Sequence, residues 1–220
     1  MTDESDLPSI RRVYDRIGDH FSQTRQYPWE DVTEFLETVE GTVGLDVGCG
    51  NGRHTEALAA VVDRPVGVDL SRTLLEAAVN RATGLAVGES VGAFPADFVT
   101  GTATSLPIVT DSVDVGLYIA TIHHLRSRAA RIESLNELAR VLGPDGTALL
   151  SSWCTTDERF DRTSGFDTTV DWTLPDGETV GRFYHIYDPG EFKSDLEASH
   201  LGWQTAWVSA GNCYARVSPR

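Results

Sequence analysis

Apolar positions recur with two different periods along this chain, and the changes of period mark its elements. Ile10, Val13, Tyr14 and Ile17 form one stripe at helical spacing over residues 9–20, and 28–39 repeats that spacing. The link Phe21-Ser22-Gln23-Thr24-Arg25-Gln26-Tyr27-Pro28-Trp29 is irregular and rich in hydrogen-bonding side chains. A compact run at 42–47 predicts a strand, followed by a helix through Leu58. A second strand at 65–68 ends at Asp69. Ser71 then reads as the N-cap of a helix carrying Leu74, Leu75 and Ala78. Residues 84–96 are small and loop-like, ahead of a short strand at 97–100. A strand at 113–119 precedes an amphipathic helix over 127–142, which Gly143-Pro144-Asp145-Gly146 ends. The next strand covers 147–153. Residues 154–181 are polar without a clear period and read as a long functional loop. A helix at 189–199 and strands near 203–209 and 212–217 close the chain, with Gly211-Asn212 suited to a hairpin turn.

Strands alternating with helices predict an α/β fold. The expected sheet is doubly wound, mostly parallel and seven-stranded, with an antiparallel C-terminal hairpin. A length of 220 residues suits one domain over 1–220, opened by a helical segment at 9–40. Ligands of open α/β sheets sit beyond the carboxyl ends of the strands. That rule gathers Asp46, Gly48, Asp69, Thr102 and residues 119–124 around one crevice.

Composition changes this picture in two ways. No run approaches the ~18 apolar residues of a membrane span, and the polar start Met1-Thr2-Asp3-Glu4-Ser5-Asp6 is unlike a signal peptide. With three separated cysteines (Cys49, Cys154, Cys213), these features point to a reducing cytoplasm. The 33 acidic residues outnumber the 18 basic ones, for a net charge of −15, and Lys193 is the only lysine. Many acids with almost no lysine suggest a protein built for high salt; an ordinary acidic enzyme is the alternative. Acidity normally argues against nucleic acid. In molar salt the Debye length falls to about 3 Å, so long-range repulsion is largely screened.

The candidate chemistry starts at Leu45-Asp46-Val47-Gly48-Cys49-Gly50-Asn51-Gly52. An acid near a strand end and glycine at every second position describe a strand, a tight turn and a helix, with the turn backbone free to lie against a ligand. A dinucleotide fold wants G-x-G-x-x-G, and here the third glycine comes one residue early. D-x-G-x-G-x-G resembles the first motif of class I S-adenosylmethionine (SAM) methyltransferases, implying a Rossmann-like methyltransferase fold. Asp69, 23 residues after Asp46, can accept both hydroxyls of a ribose. Thr102 stands where many such enzymes carry an acid for the adenine amine. The cofactor-binding candidates are therefore Asp46, Gly48, Cys49, Gly50, Gly52, Asp69, Leu70, Thr102, Ala103 and Ala120.

Three further stretches resemble one subfamily, the tRNA wobble-uridine carboxyl methyltransferases. They are Val13-Tyr14-Asp15-Arg16-Ile17 through His20-Phe21-Ser22-Gln23-Thr24-Arg25 to Pro28-Trp29; Ile119-Ala120-Thr121-Ile122-His123-His124 with Arg128 and Arg131; and Arg182-Phe183-Tyr184-His185-Ile186-Tyr187 with Gly190-Glu191-Phe192 and Asn212-Cys213-Tyr214. The resemblance implies a substrate, the anticodon stem-loop of a tRNA whose uridine 34 bears a 5-carboxymethyl group, and a methyl ester product. It also implies a small zinc-binding activator protein in a heterodimer. A carboxylate acceptor is already ionised at neutral pH, with a pKa near ~4, so no general base is needed. The tasks are alignment, exclusion of water and neutralisation of charge. Arg25 and Arg182 are the anchor candidates, because arginine pairs with a carboxylate in a planar fork. His123, His124, Tyr184 and His185 are candidates for contact with the substrate. Tyr14, Phe21, Trp29 and Trp153 are candidate lids or stacking partners, and Arg11, Arg12 and Arg16 a basic face. A methyltransferase acting on a metabolite, and a subunit that binds without turnover, are the competing readings.

Overall fold

The computed structural model describes residues 9–85 and 92–220. Among them run α1 (Ile10–Gln23), α2 (Glu30–Leu36), β1 (Gly41–Val47), α3 (Arg53–Leu58), β2 (Val62–Asp69), α4 (Arg72–Ala82), β3 (Asp97–Thr100), β4 (Val113–Tyr118), α5 (Arg128–Val141), β5 (Leu142–Trp153), β6 (Phe166–Thr173), β7 (Thr179–Ile186), α6 (Pro189–Ala198), β8 (Leu201–Ser209) and β9 (Asn212–Pro219). Seven strands form one sheet in the order β3-β2-β1-β4-β5-β9-β8. The first five pair in parallel; β9 runs antiparallel to both β5 and β8. The order reverses between β1 and β4. At such a switch point the loops leave the sheet in opposite directions and open a crevice.

Burial explains why the strands hold this order. Leu45, Val47, Val68, Tyr118 and Leu150 join Leu135 and Leu138 of α5 and Phe192 and Leu196 of α6 in one core. On the other face Leu117, Ile119 and Leu149 pack against Val32, Phe35 and Leu36 of α2 and Leu58 of α3. Strands buried on both faces read as continuous apolar runs, which is why β1, β4 and β5 stand out in the sequence. The helix starts are also local. Ser71 and Ser127 accept from the backbone N–H three residues on, and Asp188 accepts from Gly190 and Glu191.

Three expectations need correction. Residues 154–181 are not one loop: 166–173 pair with 179–186 as a separate two-stranded hairpin. Phe166, Thr168, Val170 and Trp172 alternate, half-buried, with exposed Asp167, Thr169, Asp171 and Thr173. Threonine on both faces and aspartate on the outer one blurred that period of two. Second, Gly143-Pro144-Asp145-Gly146 lies inside β5, at a register jump from Val113↔Leu142 to Val115↔Thr147. A Cβ on Gly146 would stand 2.6 Å from the Val113 carbonyl oxygen, so glycine permits the close approach. Third, α1 continues through Phe21, Ser22 and Gln23. The loop-like stretch 84–96 lies partly outside the described residues. At the last hairpin, Ala210 and Gly211 both take positive φ (45° and 75°), joining Ser209 to Asn212 in a two-residue turn.

Candidate active site

The glycine turn after β1 opens into a cleft of about 960 Å³, including its mouth. Gly48, Cys49, Gly50, Asp69, Leu70, Thr102, Ala103 and Ala120 line it, so eight of the ten cofactor candidates share one wall system. Gly48 has φ +71°, and a Cβ there would strike Thr121 Oγ1 at 2.2 Å. A Cβ on Gly50 would meet nothing within 4 Å, because it would project into the cleft itself. Burial pushes the Cys49 thiol up, keeping it neutral. Thr102 is engaged with the Thr104 hydroxyl at 3.1 Å.

Asp69 ends β2 with its carboxylate turned to the cleft. One oxygen accepts from Gly50 N–H at 2.9 Å and the other from Ser71 N–H at 2.8 Å. Burial raises its pKa, and these backbone donors oppose that shift. Each oxygen retains a lone pair for a ligand hydroxyl.

Two cofactor candidates stand behind the wall. Asp46 is 1% exposed and accepts from Thr55 Oγ1 at 2.7 Å; burial pushes its carboxyl up to about 7. Its task is to brace the turn against α3. Gly52 is the left-handed residue before α3, and a Cβ there would meet Ala78 of α4.

Residues passed over in the sequence tie the roof to this floor. Asn51 Nδ2 donates to the carbonyls of Ser22 (3.2 Å) and Arg25 (2.9 Å). Arg81 Nε donates to Asn51 O, and its guanidinium pairs with Glu56 at 2.6 Å. Asp15 of α1 accepts from Ser71 Oγ and Arg72 N–H, adding a second cap to α4. The signal available was the density of polar side chains in 21–29, which have buried backbone to satisfy.

The hairpin β6–β7 packs over α1 and the end of β5. Val180, Trp172 and Leu174 meet Val13, Tyr14, Ile17 and Phe21, while Phe166, Val170, Tyr184 and Ile186 meet Trp153 and Phe160. This packing brings Arg25 and Arg182 onto one ring. Their guanidinium carbons lie 5.8 Å and 4.9 Å from the Trp172 centroid. Arg25 also stacks on Phe21, and Arg182 on Tyr184. Neither arginine has a carboxylate partner among the described residues. Arg182 is 7% exposed and its buried Nε has no hydrogen-bond partner. Burial and the neighbouring Arg182 lower the pKa of Arg25. Two ring-stacked guanidiniums without a carboxylate partner have the chemistry to pair with an anion.

The two histidines beside it are neutral. His124 Nδ1 faces the Phe183 carbonyl at 3.0 Å and must donate, so Nε2 accepts from Tyr14 OH at 2.9 Å. Burial holds the His124 pKa at about 4. His123 Nδ1 accepts from Trp153 N–H at 3.1 Å, and burial sets its pKa well below the usual imidazole range.

His185 is elsewhere. Its Nδ1 faces Asp167 at 2.7 Å and its Nε2 faces Glu191 at 2.9 Å. Arg131, Arg128, Asp195 and Tyr187 continue this network into α5 and α6. The expectation of substrate contact at His185 is therefore replaced by a bracing role: both ring nitrogens are engaged, and alternation along β7 turns it away from the face that bears Arg182 and Tyr184.

Of the remaining candidates, Tyr14 and Phe21 line the cleft. Trp29 packs beside His54 with Arg53 over its ring. Trp153 donates to Asp157 at 2.9 Å and carries Arg159 over its ring at 4.3 Å. Arg11 pairs with Asp15 and Arg16 with Glu178.

A family model described as a methyltransferase domain matches residues 45–150. The chain is 33% identical over 186 residues to a putative methyltransferase of Encephalitozoon cuniculi, covering 81% of this chain and 80% of that protein. It is 32% identical over 181 residues to the tRNA (carboxymethyluridine(34)-5-O)-methyltransferase of Saccharomyces cerevisiae, covering 78% of this chain and 59% of that protein. The corresponding mouse protein is 32% identical over 70% of this chain, which spans 21% of its length. Among solved structures, the DhpI–SAM–HEP complex superposes with a TM-score of 0.73 at 17% identity, covering 99% of this chain and 100% of that one. The CcbJ methyltransferase from Streptomyces caelestis gives 0.69 at 14% identity, covering 97% and 99%.

Proposed function

The chain belongs to the SAM-dependent methyltransferases, and on that premise we propose that it methylates the carboxylate of 5-carboxymethyluridine at the wobble position of tRNA. The relatives bearing that activity in their names support the substrate. The unpaired arginine pair on Trp172, with Arg25 stacked on Phe21 of the cleft lining, carries the proposal.

The cleft fits the cofactor. Gly50 leaves open the space a side chain would fill, Gly48 lets the turn pass close against Thr121, and Asp69 offers two carboxylate oxygens for ribose hydroxyls. Leu70, Thr102 and Ala103 would border the base, and Ala120 the far side. Bound there, the cofactor supplies an electrophilic methyl group on a sulfonium.

The chain's own residues do the rest by positioning. Arg25 and Arg182 hold the anionic substrate and offset its charge. Phe21, Trp172 and Tyr184 exclude water around the guanidiniums. Tyr14 spends its proton on His124 Nε2, so the pair cannot withdraw a proton from a substrate. That suits an acceptor ionised with a pKa near ~4, which needs no base. Holding two reacting groups in register can account for roughly 7–11 kcal/mol of barrier.

Two partners complete the proposal. The substrate is the anticodon stem-loop of tRNA. A zinc-binding activator protein would cover an apolar edge; the outer strand β3 is open on one side, and Val79 on α4 and Leu85 after it are exposed.

The test is transfer of labelled methyl from SAM to tRNA carrying or lacking the carboxymethyl group, with any activator supplied. Label entering only the carboxymethylated tRNA is expected. Arg182→Ala should lower turnover at least about ten-fold while SAM affinity stays within two-fold, because a charge-assisted contact contributes about 1.5–3 kcal/mol. Label confined to small molecules, or equal in both tRNAs, overturns the substrate.

A further inference from the structure

Trp172 is the ring that Arg25 and Arg182 share, so whatever fixes its plane fixes how the two guanidiniums stand. The backbone beneath it constrains it little. β6 pairs only with β7, in a two-stranded sheet, and such a hairpin is at best marginally stable by itself. The cations also load the ring. After burial, the charge of Arg182 is the next cause that lowers the Arg25 pKa, so the two repel each other. No carboxylate pairs with either among the described residues. An indole turns about two side-chain bonds, and either rotation would carry its face away from both cations.

His20 supplies the missing constraint. It stands on α1, half-buried, and is not among the residues that line the cofactor cleft. The Trp172 Nε1–H donates to His20 Nδ1 at 3.1 Å, with the ring centroids 5.5 Å apart at 65°. An indole nitrogen can only donate, so Nδ1 accepts and the neutral imidazole carries its proton on Nε2. Phe21 also touches the indole, at 5.5 Å and 55°. Apolar contact of that kind limits where the ring sits, whereas a directional N–H bond sets which way it faces.

We propose that His20 is a positioning residue for the arginine pair: by accepting the Trp172 N–H it sets the indole plane on which Arg25 and Arg182 are held together. This role rests on the reading of that pair as the substrate's anchor. A plain clip between α1 and the hairpin would need no particular acceptor, because Val13, Ile17 and Val180 already pack the two together. Positioning needs the acceptor at Nδ1.

Two substitutions separate shape from acceptor. His20→Phe keeps a ring against Trp172 and removes the acceptor. His20→Asn puts an amide oxygen as many bonds from the backbone as Nδ1 was. The first readout needs no substrate. Protons of a guanidinium over an indole feel its ring current. The Nε–H NMR signals of Arg25 and Arg182, assigned from their Ala variants, should therefore move in His20→Phe and return in His20→Asn. The second readout is KM for carboxymethylated tRNA. It should rise about three- to ten-fold in His20→Phe and return in His20→Asn, with SAM affinity within two-fold of wild type throughout as proof of folding. Arginine signals that stay put in His20→Phe, an unchanged KM, or a rise that His20→Asn does not restore, overturns the positioning role. Signals that move and return as expected, in a wild-type protein that leaves carboxymethylated tRNA unmethylated, overturn the substrate reading alone.

Discussion

Asp46 shows how one buried carboxyl can tie fold to pH. Burial raises its pKa to about 7, against the lowering effect of the Thr55 hydroxyl. In the unfolded chain the same group ionises near ~4. Its contribution to stability is therefore full below about pH 4, declines as only the unfolded form ionises, and is gone above about pH 7. Asp46→Asn keeps an acceptor for Thr55 and removes the ionisation. The stability of the Asn variant relative to wild type should rise between pH 4 and pH 7 and then level off. Urea unfolding at pH 4.5 and pH 8 measures this; an unchanged difference would mean that Asp46 is ionised in the fold. The residues of the arginine site behave differently. With its pKa held at about 4 by burial, His124 is neutral from pH 6 upward.

At the scale of elements, the site exists because two unlike pieces of chain meet. The roof is the α1 end and the link after it; the floor is the glycine turn. Asn51 pins one to the other through the Ser22 and Arg25 carbonyls. Asn51 is 5% exposed, so Asn51→Ala leaves those carbonyls without their donor. A buried acceptor stripped of its partner costs about 1–3 kcal/mol. The variant should lose roughly that much by chemical denaturation, and Arg25 should lose its fixed position over Trp172. If stability and turnover both survive, the pin is dispensable. The hairpin β6–β7 supplies the other half, and His185 between Asp167 and Glu191 fastens it to α6.

For the whole molecule, charge is the governing feature. At −15, the folded chain repels itself in dilute buffer. Arginines, where they are buried, are matched to named acids or held on aromatic rings: Arg81 with Glu56, Arg131 with Glu191 and Asp195, Arg182 over Trp172 and Tyr184. Raising salt from 0.1 M to 2 M shortens the Debye length from about 10 Å to below about 3 Å. The melting temperature should therefore rise by several degrees over that range. A flat or falling curve would count against adaptation to concentrated salt.

Sequence alone determined the parts of this protein that depend on neighbours in the chain. The parallel strands, buried on both faces, show as apolar runs; Ser71 caps its helix three residues away; the glycines of 48–52 carry the turn in their own spacing. Tertiary structure decided what depends on groups distant in the chain. Thr168, Val170 and Trp172 became a strand only by pairing with β7. His185 left the site because Asp167 and Glu191 claimed both its nitrogens. Arg25 and Arg182, 157 positions apart in the numbering, came together because a single indole ring holds both. Local backbone preference is written in adjacent residues, whereas the pairing of a charge is settled by whichever partner the folded chain brings within reach.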